Sequence, residues 1–335
     1  MTLYLGMNRE LVIVDLEHPE NATTALSGHH IAALAIDPHR PDRLWCGTYG
    51  DGLLMSDDRG QTWVQQTDVP ESLRSGNVLS VAVSAVEDVM FAGTEPSRLF
   101  RSDDGGVTWR ELESLQDLPS KSRWSFPPKP ETHHVRWITP HPTTAGELVV
   151  AIEAGALVQS RDGGTAWQDR QPGSPYDSHT VRIHPETPDR IRSAAGDGYF
   201  ESNDNGETWQ KREDGLRWTY CWGLAIGAGD AEIALMSVAP SAGRGHGHRG
   251  NPQAAIYRRQ GTGPWQQVSE GLPADDGTTL SVLAADPSKS GSFYALNNRG
   301  LYASTNTGIT WQQLDIPWKD EYTRHRPAAL AVSRS

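Results

Sequence analysis

Apolar and polar residues alternate along this chain in short runs that recur in a fixed order. Ile31-Ala-Ala-Leu-Ala-Ile36 leads into Asp37-Pro38, Arg43-Leu-Trp-Cys-Gly-Thr48 follows, and Gly52-Leu-Leu-Met-Ser56 comes after a glycine turn. Short runs with a period of two, bounded by Gly, Pro, Asn and Asp, predict β-strands rather than helices. Each repeat then ends in an octamer closing on tryptophan. Three near-copies are Ser56-Asp-Asp-Arg-Gly-Gln-Thr-Trp63, Ser102-Asp-Asp-Gly-Gly-Val-Thr-Trp109 and Ser202-Asn-Asp-Asn-Gly-Glu-Thr-Trp209. Weaker copies end at Trp167 and Trp311, and an eroded one at Trp265. In the octamer the Asp carboxylate is suited to accept backbone N–H bonds while Gly takes a positive φ. The tryptophan is suited to pack between neighbouring sheets.

Successive tryptophans lie 46, 58, 42, 56 and 46 residues apart. A period near 50 with four short strands per unit is the pattern of a β-propeller. Six tryptophans mark six units, blades 1 to 6, over residues 29–325. The ends supply a seventh: Pro327-Ala-Ala-Leu-Ala-Val-Ser333 reads as an innermost strand, and Thr2 to Met7, Glu10 to Leu16 and Thr23 to Leu26 as the three strands beside it. The expected fold is therefore all-β, a single seven-bladed propeller over residues 1–335. Blade 7 is built from residues 1–28 and 326–335, so that the last strand closes the ring and removes a free sheet edge.

Composition sharpens this in three places. A chain of 335 residues suggests two domains at about 150 residues each, whereas the repeat accounts for the length with one ring. The formal charge of −12 argues against a broad nucleic-acid or anionic-lipid footprint. No apolar run approaches the roughly 20 residues of a membrane-spanning helix, and charges follow Met1 too soon for a signal-peptide core; the expectation is a cytoplasmic protein without membrane or nucleic-acid partners. The two cysteines, Cys46 and Cys221, are too few for a disulfide framework or a thiolate zinc site. They are expected to be buried thiols.

The octamers resemble the Asp-box, or bacterial neuraminidase repeat, of sialidases, sortilin-type propellers, xyloglucanases and photosystem assembly factors of the Ycf48 kind. The resemblance covers nearly the whole chain and implies the fold; it does not imply one function, because enzymes and binding proteins share the turn. True sialidases carry a Phe-Arg-Ile-Pro motif whose arginine begins a three-arginine clamp, together with a Tyr–Glu nucleophile pair, and no such motif is found here. Xyloglucanases use a cleft between two propellers, and this chain supplies one.

Candidate chemistry gathers on the rim opposite the octamers, the usual place for a propeller ligand. Aligning the innermost strands puts His30, Asn77, His134, Asp177, Tyr220, Thr279 and Arg326 in one equivalent ring, and Ala32, Leu79, Arg136, His179, Trp222, Ser281 and Ala328 two residues further in. Imidazoles of His30, His134 and His179, with His246 and His248 from an enlarged loop, are candidate ligands of a divalent transition metal. Tyr220, Glu95, Glu153, Asp197 and Arg136 are candidate catalytic groups. Trp124, Trp222, Trp318, Arg299 and Arg326 are candidate substrate contacts. No nucleotide or flavin signature is present.

The leading reading is an enzyme acting on a small polar, anionic or carbohydrate-derived substrate, aided by a His-bound metal. Two alternatives stand beside it: a glycoside hydrolase using a carboxylate pair among these acids, and a non-catalytic ligand- or protein-binding propeller. The long connection 116–134, with Lys121, Arg123, Trp124, Phe126 and Lys129, is a candidate lid or protein-binding arm.

Overall fold

The computed structural model describes residues 1–247 and 250–334. These form seven antiparallel sheets, six of four strands and one of three, giving the expected seven-bladed β-propeller. The innermost strands are Ile31–Ile36, Asn77–Val83, Val135–Pro140, Ser178–His184, Tyr220–Gly227, Val282–Ala285 and Ala329–Val332. In the blade made from both termini, Thr2–Gly6 pairs with Leu11–Asp15 on one side and with Ala329–Val332 on the other. The last strand thus completes a sheet begun by the first three.

Blade 3 departs from the four-strand expectation. Its outermost strand shrinks to a single bridge between Gln159 and Gln168. The octamer in that blade carries Ala166 where those ending at Trp63, Trp109, Trp209 and Trp311 have Thr, so the hydroxyl bond that completes those turns cannot form.

The octamer turns show why their sequence is repeated. The Ser56 hydroxyl donates to Asp58 Oδ1 at 2.8 Å and accepts the Gly60 N–H at 2.8 Å. Asp58 also accepts the Thr62 N–H at 2.8 Å and its hydroxyl at 2.6 Å, and the Trp63 indole donates to the Gly60 carbonyl at 3.0 Å. The same bonds recur from Ser102 to Trp109 and from Ser202 to Trp209. Hydrogen bonds from Thr62 pull Asp58 down to about 2, because a carboxylate accepting several donors favours its charged form. In the last octamer Asn306 replaces Asp and keeps the geometry, its amide donating to the Thr310 hydroxyl at 2.9 Å.

The chain divides into two compact units, Met1–Gly28, Ala194–Tyr199 and Lys211–Ser335 in one, His29–Ser193 and Phe200–Gln210 in the other. In the His29–Ser193 unit the core lies between successive blades. Trp45 and Trp109 meet edge to face at 6.2 Å among Leu53, Val78, Met90 and Phe100, and Phe91, Val135, Val150 and Ile152 fill the next interval. Gly47 and Gly93 permit this packing. A Cβ on Gly47 would lie 2.4 Å from the Val78 carbonyl, and one on Gly93 would lie 2.4 Å from the Val135 side chain. In the Lys211–Ser335 unit, Cys221, Leu224, Met236 and Trp265 pack around Tyr199. Both cysteines are buried and outside any disulfide, and burial pushes their thiols up.

One backbone device positions side chains. The innermost strands of blades 1, 2, 3 and 5 each carry a β-bulge near their start, at Ala32, Leu79, Arg136 and Trp222. A bulge leaves one residue outside the ladder and re-aims its side chain. The bulged residues are those that sequence alignment had placed in the second ring.

Candidate functional site

His134 stands just before Val135–Pro140, and the ladder that pairs Val135 with Ile152 places Glu153 opposite it. The backbone N–H of Glu153 donates to the His134 carbonyl at 3.3 Å. Strand register therefore brings the side chains together, and His134 Nε2 lies 2.9 Å from Glu153 Oε2. The other ring nitrogen, Nδ1, faces Glu95 Oε2 at 3.4 Å, an ion-pair distance without the alignment of a hydrogen bond. Glu95 closes the strand Met90–Glu95 opposite Asn77, whose side-chain amide donates to it at 3.5 Å. One imidazole, only 4% exposed, is thus held between two carboxylates.

Further groups surround Glu153. The bulge turns Arg136 inward, with Nε 3.3 Å from Glu153 Oε2. His179 is fully buried, its Nε2 3.8 Å from Glu153 Oε1 and 3.6 Å from Asp177 Oδ2. Asp177 accepts the backbone N–H of Ala154 at 3.0 Å, which ties the turn after Glu153 to the next blade. Lys129, from the connection 116–134, reaches Glu95 Oε1 at 3.3 Å, and the Phe126 ring meets His134 edge-on at 4.7 Å.

Charge follows from these contacts. Burial favours the neutral form of Glu153, but His134, His179 and Arg136 outweigh it and hold the carboxyl well below its ordinary 4.5. Glu95 is lowered by His134 first, against burial, and then by Lys129. Burial opposes a charge on His134, yet Glu153 and Glu95 overcome it and raise the imidazole above 6.5. Its neighbour His133 moves the other way, lowered by burial and by the nearby Lys121 and His134. The contacts therefore favour the charged forms of both carboxyls and of the imidazole, and neither carboxyl is shifted toward its neutral acid.

In the Lys211–Ser335 unit a different group assembles. The Tyr220 hydroxyl and His246 Nε2 are 3.1 Å apart. Trp222, in its bulge, lies beside Tyr220 with ring centroids 6.4 Å apart and takes the His246 ring edge-on at 4.4 Å. The Arg326 guanidinium lies 4.4 Å from the Trp222 ring centre. This group is aromatic where the first is ionic.

The remaining candidates scatter. Among the described residues, the one group of three ligand atoms lying within 4.8 Å of one another comes from Glu153, Asp177 and His179. The expected trio of His30, His134 and His179 is not brought together, because His134 turns both nitrogens to carboxylates. With Arg136 and His134 already against Glu153, the Glu153 charge is compensated by protein cations. His30 precedes Ile31–Ile36 and its carbonyl accepts the Tyr49 N–H at 2.9 Å. His248 lies outside the described residues.

Asp197 occupies the turn between Thr187–Ala195 and Gly198–Ser202 and belongs to the other compact unit from Glu95 and Glu153. Trp124, expected to touch a ligand, packs in the core with Leu115, Val135 and Ile152, and its indole donates to the Ser120 hydroxyl at 3.0 Å. Trp318 meets Tyr322 edge-on at 5.2 Å within an apolar cluster. Arg299 is exposed, its guanidinium lying over Gly277.

Asp177 was legible as a member of the first ring but had no assigned role. The contacts of Lys129 and Phe126 have no sequence signal, because they depend on how the connection folds back.

No protein-family model matches the chain. A probable oligoxyloglucan-reducing end-specific xyloglucanase of Neosartorya fischeri is 24% identical over 71% of this chain, and the match spans 31% of that enzyme. A xyloglucanase of a Paenibacillus species is 28% identical over 56% of the chain and 21% of the enzyme. The chain thus spans under a third of the length of these relatives. Among solved structures, an ancestral GH74 enzyme superposes with a TM-score of 0.67 at 16% identity, covering 96% of this chain and 41% of that one. YCF48 bound to D1 peptide gives 0.60 at 18% identity, covering 88% and 83%. Likenesses at these identities show the propeller fold, and the xyloglucanases are its relatives by sequence at low identity.

Proposed function

We propose that this protein is a glycoside hydrolase acting on a carbohydrate, with Glu95, His134 and Glu153 as its proton-handling groups. The observation that carries this reading is the buried imidazole held between two carboxylates. The xyloglucanase relatives support the substrate class.

The scheme differs from the usual pair of carboxyl groups, in which one carboxylic acid is kept protonated. Here both carboxyls are shifted down, so His134 is the proton donor. It protonates the departing glycosidic oxygen from Nδ1. Glu95, ionised, takes a proton from the attacking water. Glu153 fixes the imidazole through Nε2, as the third group of a triad orients its base, while Arg136 and His179 keep Glu153 ionised. Asp177 steadies the turn that carries it.

Hydrolysis of xyloglucan oligosaccharides and a panel of other glycans, followed by release of reducing ends, tests the proposal. His134→Asn and Glu95→Gln should each lower kcat/KM by about 10²–10⁴-fold, the span of general acid–base catalysis. Undiminished hydrolysis in both variants would remove these residues from the reaction. A second reading, a peptide-binding propeller, is favoured by the 83% of the YCF48 chain that is covered. Peptide binding unaffected by Glu95→Gln, with no glycan cleaved by the unmodified protein, would select it.

A further inference from the structure

We propose that residues 125–132 form a lid over Glu95 and His134, latched by Lys129 and Phe126 and lifted when carbohydrate enters; this rests on the reading of that site given above.

The segment is built to move as one piece. Within it the Phe126 N–H donates to the Thr132 carbonyl at 2.8 Å, Lys129 N–H to the Phe126 carbonyl at 2.8 Å, and Thr132 N–H to the Lys129 carbonyl at 3.0 Å. The Ser125 hydroxyl donates to the Pro130 carbonyl at 3.1 Å. Pro127, Pro128 and Pro130 fix φ at three of its eight positions. The finger is stiff inside.

Both of its ends are anchored. On one side Trp124 is buried and bonded to Ser120, and its indole packs over Gly155, where a Cβ would lie 3.0 Å from the ring. The Ser125 N–H donates to the Ala154 carbonyl at 3.4 Å, so the lid's base rests on the turn that carries Glu153. On the other side His133 meets Trp124 edge-on at 5.5 Å, and His134 is locked in its carboxylate pair.

The tip is held less firmly. Lys129 is 53% exposed and reaches the largely buried Glu95 at 3.3 Å, and the solvent-facing ammonium is open to screening by salt. Phe126 adds one edge-on ring contact to His134. In this closed arrangement the Lys129 ammonium occupies one oxygen of the carboxylate that would meet the substrate, and Phe126 covers the imidazole. A sugar hydroxyl can replace the ammonium at Glu95, and a sugar ring can replace Phe126. A stiff finger with fixed ends and a weak latch is a lid rather than a wall.

Hydroxyl-radical footprinting read by peptide mass spectrometry tests the lid without needing catalysis. In the unmodified protein, oxidation of His134 and Phe126 should rise several-fold as ionic strength goes from about 0.01 M to about 1 M, where the Debye length falls to about 3 Å. In Lys129→Gln oxidation should already be high at low salt and should not change with salt. Lys121→Gln, in the same connection but away from Glu95, should behave as the unmodified protein. Equal oxidation in the unmodified protein and Lys129→Gln, or the same salt response in both, would overturn the lid. Absence of glycan hydrolysis would overturn the catalytic reading and leave the footprint result standing. Hydrolysis with a salt-insensitive footprint would overturn the lid alone.

Discussion

Two polar groups occupy matching places in different blades. Around blade 3 stand His134, Arg136 and Glu153; at blade 5 stand Tyr220, Trp222 and His246. His134 and Tyr220 are equivalent in the repeat, and so are Arg136 and Trp222, both set in bulges. One backbone design therefore presents an ion network in one blade and an aromatic cluster in the other. The ionic group is closed by opposite charges at 2.9 to 3.8 Å, so its stability and its chemistry both depend on pH. The aromatic group is held by ring contacts, a hydroxyl–imidazole bond and the packing of Trp222 with Ala239, Ala254 and Leu280. Its stability comes mainly from burial. The repeat fixes where side chains are displayed; their identity decides whether the place does chemistry or packing.

The contrast breaks most readily at His134. If the ionic group is the catalytic one, His134→Asn abolishes most turnover, about 10²–10⁴-fold in kcat/KM, whereas Trp222→Phe leaves kcat within a few-fold; measuring both on the same glycan decides between them. The rate should need ionised Glu95 and protonated His134. It should fall on the acid side below 4.5, where Glu95 takes a proton, and on the alkaline side above 6.5, where His134 loses one. Because both groups act directly, chelators should leave the rate unchanged. Loss of activity on chelation, restored by a divalent ion, would return the metal reading.

Glu153→Gln is the next largest effect. It removes the carboxylate that the buried His134 meets at 2.9 Å and the half-buried Arg136 at 3.3 Å, and breaking a buried pair costs about 3–5 kcal/mol. The native pair also sets a pH window. His134 is raised on folding, so its contribution is complete below 6.5 and fades as pH rises through its folded value. Glu95 and Glu153 are lowered, so theirs is complete above 4.5 and fades as pH falls through theirs. Thermal stability should peak between these limits in the unmodified protein, and the alkaline decline should flatten in Glu153→Gln.

Trp222→Ala should cost about 3 kcal/mol through the cavity it leaves, by a similar amount at pH 5 and pH 8. A loss that varies strongly with pH would erase the distinction between the two groups. Smallest of all is Asp104→Asn. Asn306 already occupies the equivalent position and keeps the turn bonds, so melting should barely change, whereas Asp104→Ala should lower it measurably.

Much of this fold is written locally. The alternation of Ile31–Ile36, the octamer and its tryptophan, and the strand halves at the two termini are short-range patterns, and they specify blades, turns and closure. The ring alignment also put His134 and Asp177 in the first ring and Arg136 and His179 in the second, and in blade 3 the bulge falls at that second step, on Arg136. The partnership of His134 with Glu153 follows from register across one hairpin. That of His134 with Glu95 crosses from one blade to the next, and depends on blade packing that no local pattern records. Trp124 shows the opposite failure: in a long connection its tryptophan looked available, but the chain turns inward there and buries it. The imidazole trio fails for a similar reason, since carboxylates from neighbouring strands claim His134 first.

The most direct test is the titration of His134 itself, followed by NMR with histidine-selective isotope labelling in the unmodified protein, Glu95→Gln and Glu153→Gln. An imidazolium held between two carboxylates should titrate above 6.5, and its midpoint should fall in each variant, further in Glu153→Gln, where the closer partner is lost. A His134 that titrates at or below 6.5 in the unmodified protein, or is indifferent to both substitutions, would contradict the account.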